Sequence, residues 1–403
     1  MKITLVSEYY YPNLIGGAEL QVKRRAEAFT KMGLDVKVIC FDSKQGRMTQ
    51  TINGVKVIRY EINSHKAKVL SLMVPIARAL KKHERETDLY HVYNVHPLAG
   101  AGLYKILGGE KHILANLDNY AGFCPISTAM YGKCGIFCRH SCLRRYSGNI
   151  VERFLAVPYA LIFPFLKLLC RRIDKYIAPS DYVRQQYIKY GFSPNRIIVI
   201  PHSIDIEISG NKCKVTHDTI NVLYVGRMSG EKGVDLLIKA FHRVSSLFDN
   251  ARLILVGDGP LLDSYRELAK EIGISDRVKF TGYLNYHEVE DYYRIADIFV
   301  HPARWHEPFN VTLIEALAHE IPTVVSDVGP LKQIVKEAGI TSNREDVEDL
   351  ANKLALLIGN RSKIIEMSKR CRDVVSEYGD DRILKNLLEI YNRMNIQTSH
   401  EQH

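Results

Sequence analysis

Short runs of apolar and β-branched residues alternate with helical periods along almost the whole chain, and midway the alternation starts again. The first series opens with KITLV, an amphipathic stretch from Gly17 to Met32 closed by Gly33, then DVKVICF and VKVIRY. A helical segment from about Lys66 to Arg85 follows, then DLYHVYNV, HILANL, KYIAPS and, after Arg196, IIVIPHSID. Apolar runs of this length set between helices predict parallel strands in βα units. The second series opens at Ile220–Val225 and continues through a helix from Gly233 to Leu247, RLILVG, a helix from Pro260 to Ile272, RVKFTGY, ADIFVHP and PTVVSD. Polar, aperiodic Asp205–Thr219 reads as the linker. The expected class is therefore α/β, with two doubly wound domains over 1–205 and 206–380. A tail over 381–403 carries a helix at about Arg382–Met394, and its periodicity does not say what it packs against.

Length agrees, since 403 residues exceed one ordinary core. With 46% hydrophobic and 25% charged residues the composition is globular, which excludes disordered and fibrous classes. The longest strongly apolar stretch, Phe154–Leu166, has 13 residues. As a helix it reaches about 20 Å, short of a bilayer core of about 30 Å. The first apolar run, Ile3–Val6, is too short for a signal peptide. A cytoplasmic protein with reduced thiols is expected. Of the net charge of +10, much lies in Tyr131–Lys175, where nine Lys or Arg face two acids. A basic block beside an apolar segment suits the inner face of an anionic membrane or a phosphorylated partner, or is an ordinary basic helix face. No nucleic-acid motif accompanies it.

In doubly wound sheets ligands bind outside the carboxyl ends of strands, so the loops after strands hold the candidates. After the first strand, Gly16 and Gly17 stand directly before a helix, where backbone amides can approach an anion or simply close a loop. After Ile220–Val225, the loop Gly226-Arg227…Lys232-Gly233 places two cations five residues apart beside glycines at a helix start, an arrangement that can clamp a diphosphate. It is not a Walker loop. LILVGDGPL resembles half of a dinucleotide fingerprint but lacks the third glycine. It reads as a tight strand–helix turn whose helix Pro260 opens.

The most informative stretch is HPARWHEPFNVTLIEALAHEIPTVVSD. A strand ends near Val300, a loop delivers Glu307, and Pro308 is expected to start a helix. Glu315 lies eight positions on, about 12 Å along a helix. That exceeds the carboxyl separation of a glycosidase pair, roughly 5–9.5 Å. It suits two ends of one extended ligand: a sugar at Glu307, a ribose at Glu315, and a phosphate between them facing the amides near Asn310 and Val311. Glu315 also sits among Leu313, Ile314, Ala316 and Leu317, company that calls for a reason to keep a carboxylate there.

Together, Gly16–Glu19 (GGAE), Gly226–Gly233 (GRMSGEKG) and the Glu307-x7-Glu315 pair resemble glycosyltransferase family 4, in order and spacing along nearly the whole chain. The resemblance implies a GT-B fold of two Rossmann-like domains facing a cleft, an N-terminal acceptor domain and a C-terminal donor domain. It implies retaining transfer of a sugar from a nucleotide-diphosphate sugar to a glycan or lipid-linked acceptor, with no catalytic metal. Arg227 and Lys232 would neutralise the diphosphate, Glu307 bind sugar hydroxyls, Glu315 the ribose, and Gly17 offer its amide. Base contacts would be largely backbone, near Gly282 and Tyr283.

The chain departs from the family at two places. Leu117 precedes Asp118 where relatives often have histidine, and Asn310 follows E-P-F where they tend to have glycine. Asp118, His91 and His96 are the acceptor-side candidates. Within an insertion at about 122–148, Cys124, Cys134, Cys138 and Cys142 admit a tetrahedral structural zinc site, or are reduced structural cysteines. A nucleotide-sugar epimerase of similar fold and an inactive nucleotide-sugar-binding protein are the rival functions.

Overall fold

The computed structural model describes residues 1–13, 17–43, 46–61, 68–93, 95–124, 127–129, 162–204 and 218–401, with side chains over the same ranges except 68–71, 95–96 and 397–401. Two compact units result. Unit 1 is Met1–Ser203 together with Asp381–His403, and unit 2 is Ile204–Asp380.

Unit 1 holds eight strands: β1 (Lys2–Val6), β2 (Asp35–Ser43), β3 (Met48–Ile52), β4 (Val55–Glu61), β5 (Leu89–Val92), β6 (His112–Asn116), β7 (Lys175–Ala178) and β8 (Ile197–Val199). Their order is β3-β4-β2-β1-β5-β6-β7-β8, with β3 antiparallel to β4 and the other pairs parallel. The central strands are buried on both faces, which explains why they read as continuous apolar runs. β3 was not legible as a strand. Its sequence MTQTI is largely exposed, as an edge strand's is. The helix Gly17–Lys31 carries Val22, Ala26 and Phe29 into the core at helical spacing.

The tail helix runs over Asp380–Glu401 and so is longer than its apolar pattern suggested. Ile383, Leu384, Leu387, Ile390, Tyr391 and Met394 form one face and pack into the core of unit 1 beside Ile3, Val22 and Phe29. The chain therefore returns to its first unit after completing the second.

Unit 2 holds β9 (Ile220–Val225), β10 (Ala251–Val256), β11 (Val278–Gly282), β12 (Ile298–His301), β13 (Thr323–Ser326) and β14 (Gly339–Ser342), all parallel, in the order β11-β10-β9-β12-β13-β14. Here the strand order reverses between β9 and β12, the place where a doubly wound sheet opens a ligand crevice. The short strand β14, GITS, escaped the sequence reading for want of an apolar run.

Two expected helix starts shift. Pro260 lies in the turn before its helix, which begins at Leu262, and the Leu261 N–H of that turn bonds the Met228 carbonyl (3.0 Å). Pro308 likewise lies before the helix Val311–Ala318, whose N-cap is Asn310. The VGDGP segment is the expected tight turn. Gly257 has φ +130° and a side chain on it would meet the Gly226 carbonyl oxygen at 2.0 Å, so backbone lies directly on backbone there.

Candidate active site

The loops after β9 and β12 lie side by side at the switch in strand order of unit 2. Gly233 makes their contact: its φ is +69°, and a Cβ would stand 2.0 Å from the Pro302 carbonyl oxygen, so no other residue fits. Arg304 clamps the same junction. Its Nη1 and Nη2 each donate to Asp235 at 2.6 Å, Nη1 also reaches the Gly230 carbonyl at 2.9 Å, and its backbone N–H meets the Glu231 carbonyl at 2.8 Å. The short 3-10 turn Gly230–Lys232 is thereby held against the strand end that leads to Glu307.

Glu307 is 3% exposed. Its Oε1 accepts hydrogen bonds from the Lys232 ammonium and from His301 Nε2 (2.9 Å). Burial opposes its charge, but the Lys232 charge and the His301 hydrogen bond outweigh that and hold the carboxyl at about 2. His301 is pushed the other way: burial lowers its pKa, against the pull of Glu307, so the ring is neutral. Lys232 also lies over the Trp305 ring, 5.2 Å from its centroid. Arg227 is exposed, its position fixed through its backbone carbonyl, which accepts from the Tyr224 hydroxyl at 3.0 Å.

The helix Val311–Ala318 starts beside this pair. Asn310 Oδ1 accepts from the Leu313 N–H (3.0 Å), and the Thr312 hydroxyl lies 3.1 Å from the Val225 carbonyl, tying the helix start to the end of β9 next to Gly226. Capping of Leu313 leaves the N–H groups of Val311 and Thr312 pointing out of the helix end. Glu315 is 5% exposed and accepts from the Tyr293 hydroxyl at 3.0 Å. Tyr283 is exposed just beyond β11. Arg227, Lys232, Glu307, Asn310, Val311 and Gly226 thus share the β9–β12 switch.

In unit 1 the strand order reverses between β1 and β5. Gly17 opens its helix and is exposed, whereas Gly16 lies outside the described residues. Asp118 follows β6. Its Oδ1 accepts from Asn116 Nδ2 (3.1 Å) and lies 3.3 Å from His202 Nε2. Burial, against the nearby Arg25 charge, raises its pKa to about 6. His91 is wholly buried, with Nε2 at 2.9 Å from Asn116 Oδ1 and Nδ1 at 2.6 Å from the Tyr391 hydroxyl of the tail helix. It is linked to Asp118 through Asn116. The His96 side chain lies outside the described residues.

Three groups had no assigned role in the sequence reading. His301 ends β12 and His202 lies in the loop after β8, and neither has a period or spacing that marks it in the sequence. Arg25, wholly buried, bonds the Tyr93 hydroxyl (3.2 Å) and Asn116 Oδ1 (3.4 Å). A charge between apolar Val22 and Ala26 was its signal. Of the cysteine cluster, Cys124 is a buried, reduced thiol and Cys134, Cys138 and Cys142 lie outside the described residues. Among the described residues no three metal-type ligands gather.

Comparison with known proteins matches residues 15–208 to the family model Glycosyltransferase Family 4 and residues 206–374 to that of Glycosyl transferases group 1. An uncharacterized glycosyltransferase of Methanocaldococcus jannaschii is 26% identical over 97% of this chain and 98% of its own. The Saccharomyces cerevisiae phosphatidylinositol N-acetylglucosaminyltransferase GPI3 subunit is 24% identical over 98% of this chain and 84% of its own. The fold matches that of HepE of Anabaena, solved in complex with UDP-glucose, with a TM-score of 0.73 at 18% identity, covering 98% of this chain and 100% of that one.

Proposed function

We infer the reaction from one premise: the chain belongs to glycosyltransferase family 4, is a glycosyltransferase, and has the GT-B fold. The proposed reaction is transfer, with retention, of a sugar from a nucleotide-diphosphate sugar to a glycan or lipid-linked acceptor, in polysaccharide or glycolipid assembly. One observation carries it. At the strand-order switch of unit 2, a buried ionised carboxylate, Glu307, stands beside an ammonium, Lys232, and a capped helix start.

In this reading Lys232, Arg227 and the outward N–H groups near Asn310 and Val311 stabilise the diphosphate as charge grows on it. Glu307 accepts from sugar hydroxyls, and Glu315 from the ribose. The bond from the anomeric carbon to the diphosphate oxygen breaks, and the electron pair leaves with the diphosphate. The acceptor oxygen bonds to the same face of that carbon, and its proton passes to the departing phosphate. Such a front-face step needs no covalent nucleophile and no metal. Gly16 and Gly17 are donor-side candidates through their backbone amides, whereas Asp118 and His96 belong to the acceptor side, with His91 acting through Asn116. The cysteine cluster, if it holds zinc, holds it structurally.

A lipid-linked acceptor has support in unit 1. The helix over residues 162–170 buries Phe163, Leu166 and Leu169, while Phe165 and Leu168 are about half exposed. Arg171 and Arg172 follow directly. An exposed apolar stripe beside cations suits a protein that rests on the inner face of an anionic membrane. The 154–161 part of that apolar stretch lies outside the described residues, and among those described no helix is long and apolar enough to cross a membrane.

The test is incubation with UDP-, GDP- and ADP-sugars, with and without a glycan or lipid-linked acceptor. Transfer is expected only with acceptor, and the product's anomeric configuration should equal the donor's. Release of an epimerised free sugar without acceptor would instead indicate an epimerase.

A further inference from the structure

Two donors converge on one oxygen. Lys232 Nζ and His301 Nε2 both bind Glu307 Oε1, yet under the proposed reaction Lys232 is needed at the diphosphate. We propose that His301 is a positioning residue that holds the Glu307 carboxylate in place while Lys232 exchanges from it to the diphosphate of the incoming donor. This rests on the donor-site reading given above.

The two donors differ in what can move. Lys232 is an ammonium on a flexible stem, on a short turn, with a partly exposed side chain. The Trp305 face lies 5.2 Å from its nitrogen and offers a second stop for the charge. His301 is the last residue of β12, is 1% exposed, and lies parallel to the Tyr224 ring at 6.2 Å with an interplanar angle of 4°. Its Nδ1 is buried and has no hydrogen-bond partner among the described residues. A proton there would have nothing to bind, so the ring carries its proton on Nε2, towards Glu307. Burial keeps the ring neutral. When Lys232 leaves, Glu307 therefore keeps a fixed donor and its full charge for the sugar hydroxyls. In the free protein the same ion pair ties up the lysine that the diphosphate requires.

Removing the Glu307 charge should therefore tighten binding of a diphosphate that carries no sugar. Inorganic pyrophosphate, UDP, GDP and ADP are titrated calorimetrically into the wild type, Glu307→Gln, Lys232→Ala and the double variant. Glu307→Gln is expected to gain up to about tenfold in affinity, within the worth of one charge-assisted bond. In the Lys232→Ala background the same change should gain nothing. Unchanged or weaker binding in Glu307→Gln would overturn the exchange. So would an equal gain in both backgrounds, which would mean simple relief of anion repulsion. A wild type that binds none of the four would sink the donor-site reading itself.

The positioning role is read separately, as the ratio of affinities for a nucleotide sugar and its free diphosphate. His301→Phe should lose the part due to the sugar and keep diphosphate affinity, while His301→Gln, which can still donate, should recover it. Equal loss of both affinities, or the same ratio in both variants, would make His301 merely structural.

Discussion

Lys232 and Glu307, 75 residues apart in sequence, form a partly buried ion pair because a left-handed glycine and an arginine clamp press two strand-end loops together. Removing charges from water is costly, and such pairs often add little net stability. Their place at the switch point of a doubly wound sheet therefore points to chemistry, since residues there are the ones a ligand meets.

Glu307→Gln is expected to abolish transfer while the fold survives. The amide keeps the shape and can still accept from His301, but it lacks the charge that orients sugar hydroxyls. Transfer measured with the active donor–acceptor pair, beside a thermal melt, checks this. Wild-type turnover in the variant would remove Glu307 from the site.

Lys232→Ala should lower stability by about 2–3 kcal/mol, because Glu307 is then left as a buried carboxylate with one neutral donor. Adding Glu307→Gln should restore most of the loss. Denaturant unfolding of the four proteins in this cycle measures it, and additive effects would mean that the two residues do not interact.

Asp118 gives a pH prediction. Its folded pKa, raised to about 6 by burial against the opposing Arg25 charge, lies above the unfolded value. The native state thus holds the proton more tightly, and the stability this confers is complete below the unfolded pKa and lost as pH rises through the folded one. His202, lowered to about 3 by burial and then by the Arg25 charge, acts oppositely: it costs stability as pH falls below its unfolded value. In a His202→Gln background, which takes the contacting histidine out of the comparison, adding Asp118→Asn should gain about 3 kcal/mol on its parent between about pH 4 and pH 7. A difference that stays constant with pH would contradict a buried, protonated Asp118.

Vesicle co-sedimentation checks the membrane surface. Binding should rise with anionic lipid, fall with salt, and drop on Phe165→Asp or Leu168→Asp, which alter exposed positions only. Binding to neutral and anionic vesicles alike, or none at low salt, would contradict docking at this helix.

Sequence patterning made both sheets legible because parallel strands buried on both faces leave continuous apolar runs. The edge strand β3 and the short β14 leave none and were missed. The tail helix showed its apolar face, but periodicity carries no address, so its docking into unit 1 through Leu387 and Tyr391 appeared only in three dimensions. At the site, Arg227 and Lys232 stood out as candidates because they lie beside glycines in a strand-end loop, and Glu307 because it follows a strand end and precedes a helix at a fixed spacing from Glu315. His301 was inside the most informative stretch, yet a single histidine at a strand end has no period or spacing to mark it. Its convergence with Lys232 on one oxygen is a fact of distance, as is the path from Tyr391 through His91 and Asn116 to Asp118.

The most direct test of the donor site is calorimetric titration of UDP, GDP and ADP into the wild type, Arg227→Ala and Lys232→Ala. Each charge-assisted bond to phosphate is worth about 1.5–3 kcal/mol, so Arg227→Ala should bind the preferred diphosphate at least about tenfold more weakly, and Lys232→Ala should weaken binding by less, since that ammonium must first leave Glu307. Wild-type affinity in both variants would contradict the assignment of Arg227 and Lys232 to the diphosphate, and with it the placement of the donor at the β9–β12 switch.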